Sequence, residues 1–400
     1  MGRVNITLAN GQLGATLQTN DGIVGMVLTG KSEPGGYTTG TPILVTSMTD
    51  VTNAGITAAI NAFAIKQLQE FYNQAGTGSQ LYLMLVPTTM TVADMADNTN
   101  ADGARKLLDY AAGRIKVIGL LSDDVAITAA GGTITPGAAM NADVYTAASN
   151  MAVMAAAYFE AEQPFRAVIG ATSVSLSLGM PTDETHGTTN NRTTILIGDT
   201  EPLAGYSGGQ SACVGLLLGV ISSIPVQRKV SRVRSGALTN TVAYIAGIPV
   251  ETVGASVMNA LAGLGYITFV TYPNVSGYFF SGDPMCTATT DDYSMLARGR
   301  VIDKAHILAY TIFVQEVDDE VPVNADGTLD NGFCKWLEQQ IVNQVNNTMT
   351  ANREISAVNC FIDPAQNILS TNQLNVVLKI TPVGYATDIE ISLGFENPAL

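Results

Sequence analysis

Residues 265–284 read GYITFVTYPNVSGYFFSGDP, and the rest of the chain is organised around this stretch. Tyr266 to Tyr272 is β-branched and aromatic with Pro273 behind it. Gly277 to Phe280 repeats the aromatic signal before Ser281, Gly282, Asp283 and Pro284 force a turn. The pattern predicts two short strands. Directly after them Thr290, Asp291 and Asp292 offer N-cap side chains, and Met295, Ile302, Ala305, Ala309, Ile312 and Phe313 recur near helical spacing, which predicts a long helix. Arg298, Arg300 and Lys304 fall toward a different side, so this helix has a basic face beside its apolar one.

Outward from that block the pattern changes on each side. Upstream, residues 1 to 30 look extended, with Ile23 to Leu28 a second and more buried strand. From about Thr41 the pattern changes, and Pro42 to Val45, Leu81 to Val86, Ile115 to Leu121, Phe165 to Ile169 and Thr193 to Ile197 are short apolar runs. Helical segments near Ala54 to Tyr72, Ala104 to Ala112, Val144 to Phe159 and Ser211 to Ile224 separate them. Apolar strands alternating with helices imply crossover connections, hence an α/β domain with a mostly parallel sheet covered on both faces. Past Val250 the alternation stops. Helices are expected from Val253 to Leu264 and from Phe333 to Met349, and strands of period two from Ile355 to Ile362, Leu374 to Ile380 and Ile389 to Phe395. Arg3 to Leu8 alternates in the same way at the other end.

A chain of 400 residues more naturally forms two domains than one. Only 13% of its residues are charged and 46% are hydrophobic, which excludes a disordered chain and suits a subunit with interfaces. A formal net charge of -15 argues against nucleic acid as a partner, because phosphate would be repelled over most of the surface. Cys213, Cys286, Cys334 and Cys360 are far apart and form no CxxC, so reduced thiols are expected and zinc is not. Arg3 has no apolar segment behind it, and the longest apolar run, Val214 to Ile224, is too short to span a bilayer. These features predict a soluble, unsecreted protein without direct membrane insertion.

The motifs that imitate chemistry fail on context. Gly25 to Ser32, GMVLTGKS, fits the phosphate-loop pattern, which needs a polar loop of backbone amides followed by a helix. Met26, Val27 and Leu28 make the middle a strand, and Glu33, Pro34, Gly35 and Gly36 cannot continue a helix. Gly205 to Gly209, GYSGG, imitates a nucleophile elbow. Glu201, Pro202, Leu203 and Ala204 separate its serine from the preceding strand, and only His186 and His306 are available as bases. Asn98 to Asp109 imitates a calcium loop, with Asn98 at the first carboxylate position and Asp109 in place of the bidentate glutamate. No catalytic, cofactor or metal set is expected.

Charge placement is more informative. Pro202 to Val250 holds no acid, yet Arg228, Lys229, Arg232 and Arg234 cluster there. Glu316 to Asp330 holds no base, yet Asp318, Asp319 and Glu320 crowd together. The two runs read either as solvated loops or as complementary patches on neighbouring subunits.

Five segments carry a family resemblance: GIVGMVLTG near the start, GLLLGVISSIPVQRKVSRVRSGAL from Gly215 to Leu238, GLGYITFVTYPNVSGYFF, TTDDYSMLARGRVIDKAHILAY, and LNVVLKITPVGYATDIEISLGF near the end. Together they cover about half of the chain, and it resembles the contractile phage tail sheath proteins, which also occur in prophage-borne contractile injection particles. The resemblance implies an inner α+β sheath domain built from both chain ends, 1–30 plus 251–400, facing the tube and carrying the lattice. It implies an inserted outer α/β domain over 31–250. It also implies a helical homo-oligomer of stacked rings, with tail tube, baseplate and tail terminator proteins as partners and no cofactor. Such a protein belongs in the virion tail and is assembled in the bacterial host cytoplasm.

Under this resemblance Arg298, Arg300 and Lys304 are expected to face the tube. The terminal strands, through Val4, Ile6 and Leu8 at one end and Ile389, Ile391 and Leu393 at the other, are expected to join neighbouring subunits, since an unpaired strand edge invites association. The alternatives from other classes are an α/β nucleotide-binding protein or enzyme, and another tail or capsid component.

Overall fold

The computed structural model describes residues 20–137, 139–185, 189–206 and 209–395. The chain divides into two compact units, the first through Gln315 and the second from Glu316.

The first unit is built on a seven-stranded sheet. Its strands are β1 (Val24–Gly30), β2 (Ile43–Val45), β3 (Leu81–Pro87), β4 (Val117–Leu121), β5 (Arg166–Gly170) and β6 (Thr193–Leu196). Then come a small hairpin, β7 (Tyr244–Ile245) with β8 (Ile248–Pro249), and the last sheet strand, β9 (Tyr266–Ile267). The sheet order is β2-β3-β1-β4-β5-β6-β9, and every pairing is parallel except that of β2 with β3. The expected parallel sheet is therefore present. The physical reason is legible: VGMVLTG in β1 and VIGLL in β4 are buried at every residue, so both faces are covered and no polar side is needed.

Helix Ala62–Ala75 is tied to helix Val214–Ser223 by fully buried Gln67. Its Nε2 donates to the Ala212 carbonyl at 2.9 Å, and its Oε1 accepts from the Gly215 amide at 2.8 Å, which caps the second helix where no side chain of its own does. The helix expected from Ala54 to Tyr72 is two, Met48–Asn53 and Ala62–Ala75. Between them the chain turns at Gly55, whose φ of +81° ends the first helix.

The opening stretch does not form one strand from Tyr266 to Tyr272. β9 belongs to the large sheet, whereas β10 (Phe269–Tyr272) pairs antiparallel with β11 (Val275–Phe280). The chain changes sheet at Thr268, whose amide donates to Ser281 Oγ, and the hairpin turns through Pro273 and Asn274, the latter at φ +63°. Phe269 stacks on Phe280 with ring centres 5.6 Å apart. The long helix begins later than expected, at Leu296, and runs to Phe313. Asp291 is spent on its own turn, accepting from the Tyr293 amide. The first helical amides, of Leu296 and Ala297, go instead to the carbonyl and carboxylate of Asp283.

The compact units do not coincide with a division at residues 31 and 250. β1 sits between β3 and β4, and β9 pairs with β6, so residues on both sides of each boundary build the same sheet.

The second unit consists of helix Asn331–Val345, which continues through a π turn at Asn346–Thr350, and an antiparallel pair, β12 (Ile355–Ile362) and β13 (Val376–Pro382). Asp330 caps the helix by accepting from the Phe333 amide. Leu337, Ile341, Val345 and Met349 are buried, as are Ile355, Cys360 and Ile362 of β12, so the four-residue spacing read from the sequence is the packed face. All four cysteines are free and buried. Among the described residues no helix is long and apolar enough to cross a membrane.

Candidate inter-subunit surfaces

β12 and β13 form a sheet of only two strands, in register Cys360 with Leu378 and Phe361 with Val377. Among the described residues each strand has one neighbour, so each keeps an outer edge. The edge of β12 is closed at one end, where the Ile362 amide donates to Glu338 Oε1 at 2.8 Å. An isolated two-stranded ribbon is marginal in water, and its free edges accept further strands.

Beyond β13 the expected strand Ile389 to Phe395 is not formed. Residues 383–395 carry no regular secondary structure, and Ile389, Ile391 and Leu393 are 74, 80 and 94% exposed. A strand needs a partner for its amides and carbonyls, and these residues have none within the chain's described part. Four apolar residues in alternation, Phe395 included, held in water are costly to leave unpaired. Val4, Ile6 and Leu8 lie outside the described residues.

The basic face of the long helix is largely turned inward, contrary to its amphipathic reading. Arg300 is 4% exposed, and its Nη2 donates to the carbonyls of Asp21, Ile221 and Ile224 at 3.2–3.3 Å. Lys304 pairs with Asp21 at 2.6 Å. Beside them, Asp303 receives Arg166 in bidentate fashion, at 2.8 and 3.1 Å, and Arg192 at 3.4 Å. Arg166 is 1% exposed, and its Nη1 also donates to the Asn191 carbonyl. Gly299 makes this possible, because a Cβ there would lie 2.2 Å from the Arg166 guanidinium carbon. Arg298 and Lys304 are both half-exposed, and Arg298 forms no ion pair among the described residues. A heptad count cannot detect this, since the groups that partner the helix's charges lie from 76 to 283 positions away.

Of the two charge runs, Arg232 and Arg234 are exposed and Arg228 is half-buried, while Lys229 is committed to Asp283 at 3.4 Å within its own chain. Asp318, Asp319 and Glu320 are all exposed. GMVLTGKS runs through buried β1, so its middle residues cannot cradle phosphate. The imitation calcium loop is a set of local turns. Asp97 accepts from Thr99, Asn100 accepts from the Asp102 amide, and helix Ala104–Ala111 starts at Gly103 with no side-chain cap. Ser207 and His186 lie outside the described residues, and His306 meets Glu162.

One buried cluster was not visible in the sequence. Lys66 Nζ lies 2.6 Å from Asp199 and 3.7 Å from Glu70, and Thr200 Oγ1 donates to Glu70. The i,i+4 spacing of Lys66 and Glu70 is readable, but Asp199 is 133 residues away. Burial pushes the Glu70 carboxyl up to about 7, against the pull of Lys66 and with the help of the Asp199 charge. Because this pKa is raised on folding, the stability it contributes is full below the ordinary value of 4.5 and is lost as pH rises through about 7. Glu70→Gln is therefore expected to leave stability at pH 5 little changed and to raise it at pH 8 by about 1–3 kcal/mol relative to the parent chain. Urea unfolding at the two pH values checks this, and equal stability of parent and variant at pH 8 contradicts it.

Comparison with known proteins adds what geometry alone does not. Residues 1–283 match the family described as DUF2586, N-terminal domain, and residues 292–400 match DUF2586, C-terminal domain. No curated protein matches the sequence. Among solved structures the chain is similar to the helical sheath of the anti-feeding prophage in its contracted state, with a TM-score of 0.65 at 12% identity, covering 98% of this chain and 99% of that one. It is also similar to the sheath of the extracellular contractile injection system PVC in its contracted state, at 0.57 and 12%, covering 99% and 98%. A chain of the anti-feeding prophage baseplate, symmetrised sixfold, matches at 0.61 and 10%, covering 99% of each. At these identities the likeness is one of fold, and it runs the length of both chains.

Proposed function

The chain belongs to the DUF2586 family, and from that membership and a fold shared end to end with contractile-sheath subunits we propose that it is the structural subunit of a contractile tail sheath. The observation that carries the proposal is the full-length match to sheath chains, which leaves almost no part of this chain or of theirs outside the common fold. The subunits polymerise as stacked rings around a tail tube, in a phage or an extracellular injection particle assembled in a bacterial cytoplasm. A shift between two packings of the subunit interfaces shortens the sheath and drives the tube through a cell envelope. The energy is stored in packing, so no nucleotide or catalytic step is needed, and the partners are other copies, the tube, the baseplate and the tail terminator.

In this reading residues 389–393 are the connector. They pair with the hairpin β12–β13 of a neighbour, gaining main-chain hydrogen bonds and burying Ile389, Ile391 and Leu393, while the irregular residues after Pro382 act as a tether. Val4, Ile6 and Leu8 would serve the same role from the other end. With Arg300 and Lys304 committed internally, Arg298 is the remaining candidate on that helix for acidic groups of the tube. Negative-stain microscopy of the purified chain tests the proposal: long hollow striated tubes are expected, and dispersed monomers under all salt and concentration conditions would overturn it.

A further inference from the structure

A cleft of about 520 Å³ opens at the amino ends of the parallel strands, next to the long helix. Its floor is apolar, with Ile23, Val226, Ile307 and Leu308, and its wall carries Arg114 and Lys116 from the segment leading into β4. The other charges at this site are already partnered: Lys304 by Asp21, Asp303 by Arg166 and Arg192, and Arg300 by the carbonyls of Asp21, Ile221 and Ile224. Arg114 reaches only the Tyr82 hydroxyl, at 3.4 Å, and Lys116 donates to the Gly113 carbonyl at 2.8 Å. Among the described residues neither has a carboxylate within ion-pair distance. Burial lowers the Lys116 pKa, with Asp21 and Asp303 opposing the shift from a distance, as expected of an ammonium short of a counter-charge. Two uncompensated cations over an apolar floor, in a chain of net charge -15, call for carboxylates carried on an apolar backbone.

The chain itself contains such a segment. Residues 316–323 read EVDDEVPV; Asp318, Asp319 and Glu320 are exposed, and Val317 beside them is 67% exposed. Asp318 turns the backbone through a φ of +61°, so the acids stand on a bend rather than in a helix. We propose that the cleft receives this loop from a second copy, with Asp318 and Asp319 against Arg114 and Lys116 and Val317 on the apolar floor. The inference rests on the reading of the chain as self-assembling. It moves the complementary basic surface from residues 228–234, where Lys229 is held by Asp283, to a concave site where Lys116 is half-buried and Arg114 is exposed at the wall.

The test uses two full-length variants, Arg114→Glu with Lys116→Glu, and Asp318→Lys with Asp319→Lys, each checked for unchanged melting. Alone, each sets like charges in the contact, and the concentration needed for tubes is expected to rise at least about tenfold. Mixed in equal amounts they present opposite charges to one another at every contact, and tubes are expected to return. Restoration in a single chain carrying all four substitutions but not in the mixture would place the contact within one chain and overturn the proposal. Normal assembly of the first pair, or failure of the first with normal assembly of the second, would also overturn it, the latter by assigning the cleft a different acidic occupant. Failure of the parent chain to assemble would remove the sheath reading and this inference with it. Should the Glu variant not fold, Arg114→Gln with Lys116→Gln is expected to raise the assembly threshold without charge reversal, and an unchanged threshold would contradict the proposal.

Discussion

Deletion of residues 388–400 is expected to abolish tube formation while leaving the melting temperature within about 2 °C of the parent chain. The residues described in this segment make no regular secondary structure, and Ile389, Ile391, Leu393 and Phe395 stand in water, so the folded subunit has little to lose. The assembly has much to lose. A strand added to a neighbour's edge supplies main-chain hydrogen bonds at every second residue and apolar burial on the alternating face. Ile391→Lys with Leu393→Lys keeps the backbone and is expected to act in the same direction, because it removes the face that seats in the neighbour. Melting and microscopy on the same samples separate the outcomes. An unfolded product would mean that the segment completes its own subunit, and normal tubes would mean that it links nothing.

Asp303→Ala is expected to cost about 3–5 kcal/mol, the usual penalty for removing one partner of a buried pair and leaving the other charged and desolvated. Arg166 is 1% exposed and fixed by two hydrogen bonds to this carboxylate, and Arg192 shares it, so alanine strands two guanidinium groups at once. The helix Leu296–Phe313 is held to β5 through this contact, and chemical unfolding of the variant measures the loss directly. Replacing Arg166 and Asp303 together by Met and Leu is expected to recover much of it, since an apolar pair needs no compensation. A cost under about 1 kcal/mol for Asp303→Ala would mean that water reaches the cluster.

The parallel sheet was legible because its strands are apolar at every position, and only burial on both faces explains LYLMLV or VIGLL. Helix Asp143–Glu160 and the Leu337, Ile341, Val345 face followed from periodicity for a similar reason: the signal is local. What stayed hidden depends on partners distant in sequence. Arg300 and Asp303 look like solvent charges until Ile221, Ile224 and Arg166 are placed around them. The cap of the long helix comes from Asp283 and not from the nearer Asp291. β1 pairs with β3 and β4, a choice of neighbours that no window around Val24–Gly30 encodes. Ile389 to Phe395 alternates as a strand does, yet alternation specifies a strand only when an edge is available, and the described part of its own chain offers it none.

A helical reconstruction of tubes formed by the full-length chain tests the central claim most directly. The account predicts residues 389–393 in main-chain pairing with the β12–β13 hairpin of a neighbouring subunit, continuous from ring to ring. Tubes in which this segment pairs with its own subunit's hairpin, or makes no strand at all, would contradict it.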